Sequence, residues 1–320
     1  MFLKRRRILV FSVAVIILLV LVSFGYIDIR HLNRPSYVLN GIKINDFAYW
    51  LNNPDISRIK NTAFDLIIMD YSKDGTDENA FTREEIMLKE SKPGGRIVLA
   101  YLSIGEAESY RYYWNSSWDS DNDGIPDDDA PEWLREENPE WEGNYAVEYW
   151  NPEWQKIIFG SEDSYLDKII NAGFDGVMLD KVDEYEYFED EVENASILMI
   201  NFVLSIIDYA KNKSPNFIVL IQNGVELLEN DTLSKAISGI VVEDLYCLGD
   251  QPRPANYTES MRPFLKKLLD DNKPVFVVEY PTLYYLRVSV YLSAYSDGFL
   301  IYVGPRELNK IEITPPFYPD

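Results

Sequence analysis

The 320-residue chain holds one histidine, His31, and one cysteine, Cys247. A lone cysteine excludes an internal disulfide, and the scarcity of both residues excludes a Cys cluster, a His-rich zinc site and a Ser-His-Asp triad. Positive charge is also short: 30 Lys and Arg stand against 53 Asp and Glu, a formal charge of −23. Such a surface repels a phosphate backbone, so nucleic acid is not an expected partner. Neither GxGxxG nor GxxxxGK[ST] follows any apolar run, which argues against a nucleotide-binding loop. Acid-base chemistry is left to carboxylates, tyrosines and lysines, and carboxylates are the commonest choice where two groups of one kind divide the work. What is present, 47% hydrophobic residues, suffices for one large core or two modest ones.

Residues 8–27 form an uninterrupted charge-free stretch preceded by Lys4, Arg5, Arg6 and Arg7. Its length matches a helix crossing a hydrocarbon core of about 30 Å, and the basic cluster places the N-terminus on the cytoplasmic side. The apolar run is longer than the ~7 to 15 residues of a signal-peptide core, so an uncleaved anchor is expected, with a cleaved signal peptide as the rival. The resulting division is a basic cytoplasmic end at 1–7, a transmembrane signal anchor at 8–27, a stalk at 28–39 and a folded domain at 40–320. A single-pass cell-membrane protein with its folded domain outside is therefore expected.

Across that domain, short runs rich in Val, Ile, Leu and aromatics alternate with longer amphipathic stretches, the pattern of βα units around a parallel sheet. Strands are expected at 46–49, 65–70, 97–103, 176–180, 217–222, 240–243, 275–279 and 298–302. Helices are expected at 83–90, 152–171, 195–212, 258–271 and 282–295. The fold class is therefore α/β, a (β/α)8 TIM barrel preceded by one N-terminal transmembrane helix, with an open doubly wound sheet as the alternative. One connection breaks the rhythm. Between Ser103 and Trp150 lies a long insertion after strand 3 holding Trp114, Trp118, Trp133, Trp141 and Trp150, with Trp154 just beyond. A loop of that length is usually functional, and its tryptophans are either a wall for stacking sugar rings or the core of a small subdomain.

Two apolar strands end in carboxylates. One runs into Asp180 and is followed by Asp183, Glu184 and Tyr185; the other ends in Glu243, followed by Asp244 and Tyr246. A carboxylate closing an apolar strand must be solvated in a cleft or paired, since burying it bare costs several kcal/mol. Two strands apart, the backbones at Asp180 and Glu243 stand about 10 Å from each other, so inward side chains reach the ~5 to 9.5 Å range of both retaining and inverting glycosidase pairs. Other strand ends add Asp46, Asp70, Tyr101, Glu106, Asn223, Glu279 and Tyr302. Polar and aromatic groups ringing one face read as a sugar site rather than a phosphate site.

Tyr101-Leu-Ser-Ile-Gly-Glu-Ala-Glu-Ser-Tyr-Arg111, Trp150-Asn-Pro-Glu-Trp154, Gly173-Phe-Asp-Gly-Val-Met-Leu-Asp-Lys-Val-Asp-Glu-Tyr185, Gln222-Asn-Gly and Val242-Glu-Asp together resemble glycoside hydrolase family 114, the endo-α-1,4-polygalactosaminidases and their prokaryotic relatives. The resemblance spans about residues 40–305. It implies a (β/α)8 barrel and endo-hydrolysis of an α-1,4-linked galactosamine polymer. It also implies a catalytic pair of Asp180, as nucleophile or base, and Glu243, as acid/base. Substrate contacts are expected at Asp46, Asp70, Tyr101, Glu106, Asp183, Tyr185, Asn223, Tyr246 and Glu279. The chain departs from the family's Asp-Asn-Val-Asp-Gly-Tyr at Lys181 and Glu184. A non-catalytic polysaccharide-binding or cell-envelope protein on the same scaffold is the alternative.

Finally, Asp119-Ser-Asp-Asn-Asp-Gly-Ile-Pro-Asp127 sets carboxylates at loop positions 1, 3, 5 and 9 with Gly124 at 6, the spacing of a calcium loop, although position 12 is Ala130. Asp119, Asp121, Asp123 and Asp127 are the candidate ligands; the alternative is a solvated acidic turn. A carboxylate pair requires no cofactor, so any calcium would be structural.

Overall fold

The computed structural model describes residues 34–320. The expected basic end and transmembrane segment lie outside the described residues, and among those described no helix is long and apolar enough to cross a membrane. The stalk ends sooner than expected: Tyr37–Leu39 pairs antiparallel with Ile42–Ile44, and the Tyr37 hydroxyl donates to the Gly298 carbonyl at 2.7 Å, tying this hairpin to the domain.

Eight parallel strands form one sheet: β1 (Phe47–Trp50), β2 (Leu66–Met69), β3 (Ile97–Ser103), β4 (Gly176–Asp180), β5 (Ile218–Gln222), β6 (Gly239–Glu243), β7 (Val275–Glu279) and β8 (Leu300–Val303). They follow one another in sequence order, and β8 returns beside β1, so the sheet is a nearly closed barrel of the (β/α)8 kind. Nearly every strand residue is buried, because side chains face the barrel interior on one side and the helical layer on the other. The fit between strands is close enough to require glycine at position 176, where an added Cβ would stand 2.1 Å from the Ile218 carbonyl oxygen.

The intervening helices start where local chemistry allows. Asn151 caps Pro152–Ile158 by accepting from the Glu153 amide, with Pro at the first turn. The single helix expected at 152–171 is two, Pro152–Ile158 and Tyr165–Ala172, separated by a turn through Gly160 at φ 106°. The strands expected at 46–49 and 65–70 begin one residue later. Asp46 and Asp65 precede them, at the end of the barrel opposite Asp180 and Glu243, where Asp46 accepts the amides of Asp65 and Asp320. Asp46 is therefore not a substrate contact: a residue entering a strand and one leaving it stand at opposite barrel ends.

The insertion after β3 folds into a three-stranded antiparallel sheet, with Asn144–Val147 between Glu106–Glu108 and Leu134–Glu137. Most of its tryptophans are core, not wall. Trp114, Trp118, Trp133 and Trp154 pack in succession with ring centroids 5.2, 5.4 and 5.0 Å apart, and Trp150 packs on Tyr149 and Phe188. Trp154 is fully buried and its indole N–H donates to the Ile104 carbonyl at 2.9 Å, joining this aromatic stack to the end of β3. Trp154→Ala is expected to cost about 3 to 5 kcal/mol, as cavity and orphaned carbonyl add, and to loosen the insertion before the barrel; denaturant unfolding with hydrogen exchange at Glu106–Glu108 and Asn144–Val147 measures both.

Candidate active site

The ends of β4, β5 and β6 build the centre of the site. Residues opposite in register put Ser103 beside Asp180 and Leu179 beside Ile221, so Asp180 and Gln222 leave their strands at one level. Each of these three strands is followed by a non-glycine residue in the left-handed region: Lys181 at φ 59°, Asn223 at φ 56° and Asp244 at φ 52°. That conformation costs about 1 to 2 kcal/mol per residue and persists only where surroundings hold it. Here the Asp244 amide donates to the Val278 carbonyl, and the Asn223 carboxamide oxygen accepts the Glu243 amide at 3.1 Å.

Asp180 and Glu243 face the same cavity, and a single nitrogen joins them. The Gln222 side-chain amide donates to Asp180 Oδ1 and to Glu243 Oε2, each at 2.9 Å, while its oxygen accepts from the Tyr49 hydroxyl at 3.0 Å. The two bonded oxygens are therefore separated by no more than twice 2.9 Å. The Tyr280 hydroxyl donates to the other Glu243 oxygen. Burial first, and then the Glu243 charge, push the Asp180 carboxyl up to about 7. Burial also raises Glu243, against the opposing pull of the Tyr280 hydroxyl and the Arg306 guanidinium. Two buried acids so close titrate as a unit, and near neutrality the pair readily retains a proton.

Around the pair lies a cavity of about 520 Å³ lined by Tyr49, Tyr101, Glu106, Glu108, Asp183, Asn223, Trp141 and Arg306 among others. The charged lining is mostly carboxylate, with Lys73, Lys181 and Arg306 as its cations. Two half-exposed rings stand on its rim, Tyr110 at 43% and Trp141 at 45%, so Trp141 is the one insertion tryptophan that offers a face to this space. Arg306 sits over the Tyr280 ring and pairs with Asp244 at 2.5 Å.

Of the remaining expected contacts, Tyr101, Glu106, Asp183, Asn223 and Asp70 line the cavity. Glu106 accepts from Lys181 and Asn138 at 2.7 Å through one oxygen, and its second, buried oxygen has no protein partner. Asp70 is committed elsewhere: both oxygens accept from buried Arg111 at 2.8 and 2.9 Å, and Arg111 also pairs with Glu108. This ion triad clamps the insertion to the end of β2. Tyr185, Tyr246 and Glu279 are outside the cavity lining and are corrected as contacts. The Tyr185 ring is buried under the short helix Tyr185–Phe188, and the Tyr246 hydroxyl donates outward to Asp297 at 2.9 Å. Glu279 is fully buried and accepts the Tyr246 and Cys247 amides, holding the chain that leaves β6. Tyr302 packs against Phe47 and Phe64, away from the cavity.

Sequence reasoning did not single out Tyr49, Gln222, Tyr280 or Arg306 as site residues. Gln222 and Tyr280 carried the same signal as their neighbours, a polar residue where an apolar strand ends. Tyr49 carried none, since in a strand buried on both faces the inward positions are not marked by polarity. In the calcium-like loop, Asp119, Asp121 and Asp123 bring carboxylate oxygens within 4.8 Å of one another. Asp127 is drawn off by the Ser120 amide and hydroxyl, so the expected four-carboxylate set is reduced to three.

A buried carboxylate pair in an acidic, aromatic-rimmed cavity at the C-terminal end of a parallel barrel defines a glycoside-cleaving class of site. Residues 36–316 match the model of glycoside-hydrolase family GH114, and the chain belongs to that family. It is a glycoside hydrolase by that membership. It is 46% identical over 241 residues to an uncharacterised protein of Methanocaldococcus jannaschii, covering 73% of this chain and 66% of that one. An uncharacterised protein of Thermotoga maritima is 38% identical over 242 residues, 74% of this chain and 71% of its own. The fold is similar to that of the glycoside hydrolase domain of PelA from Pseudomonas aeruginosa, with a TM-score of 0.62 at 16% identity, over 84% of this chain and 98% of that domain.

Glu279 offers a test of the site's frame. Burial lifts its carboxyl to about 8, above the ordinary value of about 4.3. With a raised folded value, its contribution to stability is fully present below that ordinary value and is lost as pH rises through about 8. Glu279→Gln should lower Tm modestly at pH ~4, because one oxygen replaces two acceptors, yet flatten the decline of Tm between pH ~5 and ~8. An unchanged slope in a thermal melt series would show that Glu279 does not carry that dependence.

Proposed function

We propose that the protein is an extracytoplasmic, membrane-anchored endo-glycosidase acting on an α-1,4-linked galactosamine-type polysaccharide. The observation that carries the catalytic reading is the shared Gln222 nitrogen, which limits the nearest oxygens of Asp180 and Glu243 to less than twice 2.9 Å. That limit is compatible with the ~5 to 5.5 Å spacing of retaining enzymes and shorter than the ~6.5 to 9.5 Å that leaves room for an attacking water. In the reactive form the proton shared by the pair stands on Glu243, so that ionised Asp180 attacks the anomeric carbon while Glu243 gives that proton to the departing oxygen. In the second half, Glu243 takes a proton from water, and the water oxygen displaces Asp180. The mostly carboxylate lining supports a cationic chain. The half-exposed Trp141 ring and the unpartnered Glu106 oxygen support a ring-stacking contact and an acceptor for a sugar donor group. Tyr101, Asp183 and Asn223 complete the proposed contacts. The charge-free run at 8–27 with its basic flank supports the anchor.

Incubating the protein with α-1,4-galactosamine polymer and a panel of other polysaccharides, with products read by mass, tests the reading. Oligomers should appear, and Asp180→Asn and Glu243→Gln should each lower kcat by about 10²- to 10⁴-fold while sparing binding. Azide added to Asp180→Ala and Glu243→Ala separates the roles, giving a glycosyl azide of inverted configuration where the nucleophile is missing and of retained configuration where the acid/base is missing. Binding without turnover on every polymer would replace the enzyme with a binding protein.

In the insertion, the convergence of Asp119, Asp121 and Asp123 supports a structural calcium ion, to which the three carboxylates would offer hard oxygen ligands. Excess calcium should then raise Tm by several degrees over chelator, and Asp121→Asn should erase the difference. A Tm indifferent to calcium in the parent protein leaves an acidic turn.

A further inference from the structure

Gln222 ends β5, between the strands that carry Asp180 and Glu243, and is 3% exposed. Its nitrogen has two hydrogens, and both are committed, one to each carboxylate at 2.9 Å. Which end of the amide faces the acids is decided across the barrel. Tyr49 belongs to β1, four strands from β5 in either direction around the ring, and its hydroxyl donates to the amide oxygen at 3.0 Å. The Tyr49 ring is buried at 1% exposure. Turned over, the amide would present its oxygen to two carboxylates and its hydrogens to a hydroxyl already oriented by packing, so a single orientation is held.

We propose that Gln222 is a positioning residue of the glycosidase, setting the separation and orientation of Asp180 and Glu243, with Tyr49 locking the amide that does so. This rests on the catalytic pair argued above. The physical need is specific. Two buried carboxyls at this range and sharing a proton would otherwise close on each other in a direct O–H···O contact, leaving no room for an anomeric carbon and a glycosidic oxygen between them. An amide interposed between them keeps one oxygen of each acid occupied and holds the two carboxyls apart. On Glu243 the remaining oxygen meets the Tyr280 hydroxyl. Hydrogen bonds from the amide also favour the ionised form of each acid, opposing the burial that favours the neutral one.

The test compares the parent protein with Gln222→Leu and Tyr49→Phe in two measurements. Steady-state kinetics on the polymer that the parent hydrolyses should show kcat lower by about 10²-fold for Gln222→Leu, the scale of a ~1 Å misplacement, with KM within about threefold. Both limbs of the pH profile should move to higher pH, because the lost donors had favoured the charged forms. Tyr49→Phe should move the limbs the same way by a smaller amount. The second measurement needs no substrate: carbon-13 carboxyl NMR of the free protein should show the Asp180 and Glu243 titrations moving upward in both variants. A variant with a lowered Tm but parental pH limbs and parental carboxyl titrations would reduce Gln222 to a packing role and overturn the proposal. So would a loss confined to KM. Should Gln222→Leu not fold, the isosteric Tyr49→Phe decides alone, and unmoved titrations there overturn it as well. A parent protein that cleaves no polymer would sink the glycosidase reading, while the carboxyl titrations would still decide whether Gln222 governs the pair.

Discussion

The constraint on which the rest of the structure depends is the burial of two carboxylates within reach of one amide nitrogen. Neither acid is tolerable unpaired when buried at the barrel mouth, since an unpaired buried charge costs several kcal/mol. The barrel answers with two fixed donors, Gln222 between the acids and Tyr280 on Glu243, while the Asn223 carboxamide oxygen accepts the Glu243 backbone amide. They sit at strand ends that nearly closed sheet geometry brings together, and the ends of β4, β5 and β6 turn through left-handed residues that a free chain would avoid. Strain and desolvation are thus concentrated around the acid pair, and they are offset by the continuous apolar packing of the strands beneath.

A second buried ion system holds the insertion to the barrel. Arg111 has no exposed side-chain surface and joins Asp70 on the barrel to Glu108 on the insertion. Three charges buried together are held by near-ideal geometry, two parallel bonds to Asp70 and a third to Glu108, and the rings of Tyr71, Tyr101, Tyr110 and Tyr165 surround the guanidinium. The tryptophan stack fixes the insertion's own shape, while this triad fixes its attitude to the barrel. Together they bring Tyr110 and Trp141 to the rim. The insertion's aromatics thus serve two purposes that residue type alone does not separate.

Much of the fold was legible along the chain. All eight barrel strands stand within two residues of the runs that apolar periodicity marked, because parallel strands buried on both faces leave uninterrupted hydrophobic segments. Asp180 and Glu243 were legible for the complementary reason: a charge at the end of such a run is costly unless something is built around it. The same rule over-reached at Glu279, where the charge is met by the Tyr246 and Cys247 amides, and at Asp46, which enters a strand instead of leaving one.

What the sequence by itself determined is the order of βα units, the place of the insertion, the absence of histidine and disulfide chemistry from the folded domain, and the two acids that end β4 and β6. These are properties of local periodicity and of residue type, written along the chain. Tertiary structure alone decided that Tyr49 on β1 meets Gln222 on β5, that Asp70 faces Arg111, and that one tryptophan of the insertion turns toward the cavity while its neighbours turn inward. The first depends on closing the sheet and the others on how the insertion packs against it, and no local pattern encodes which residues far apart in sequence will meet.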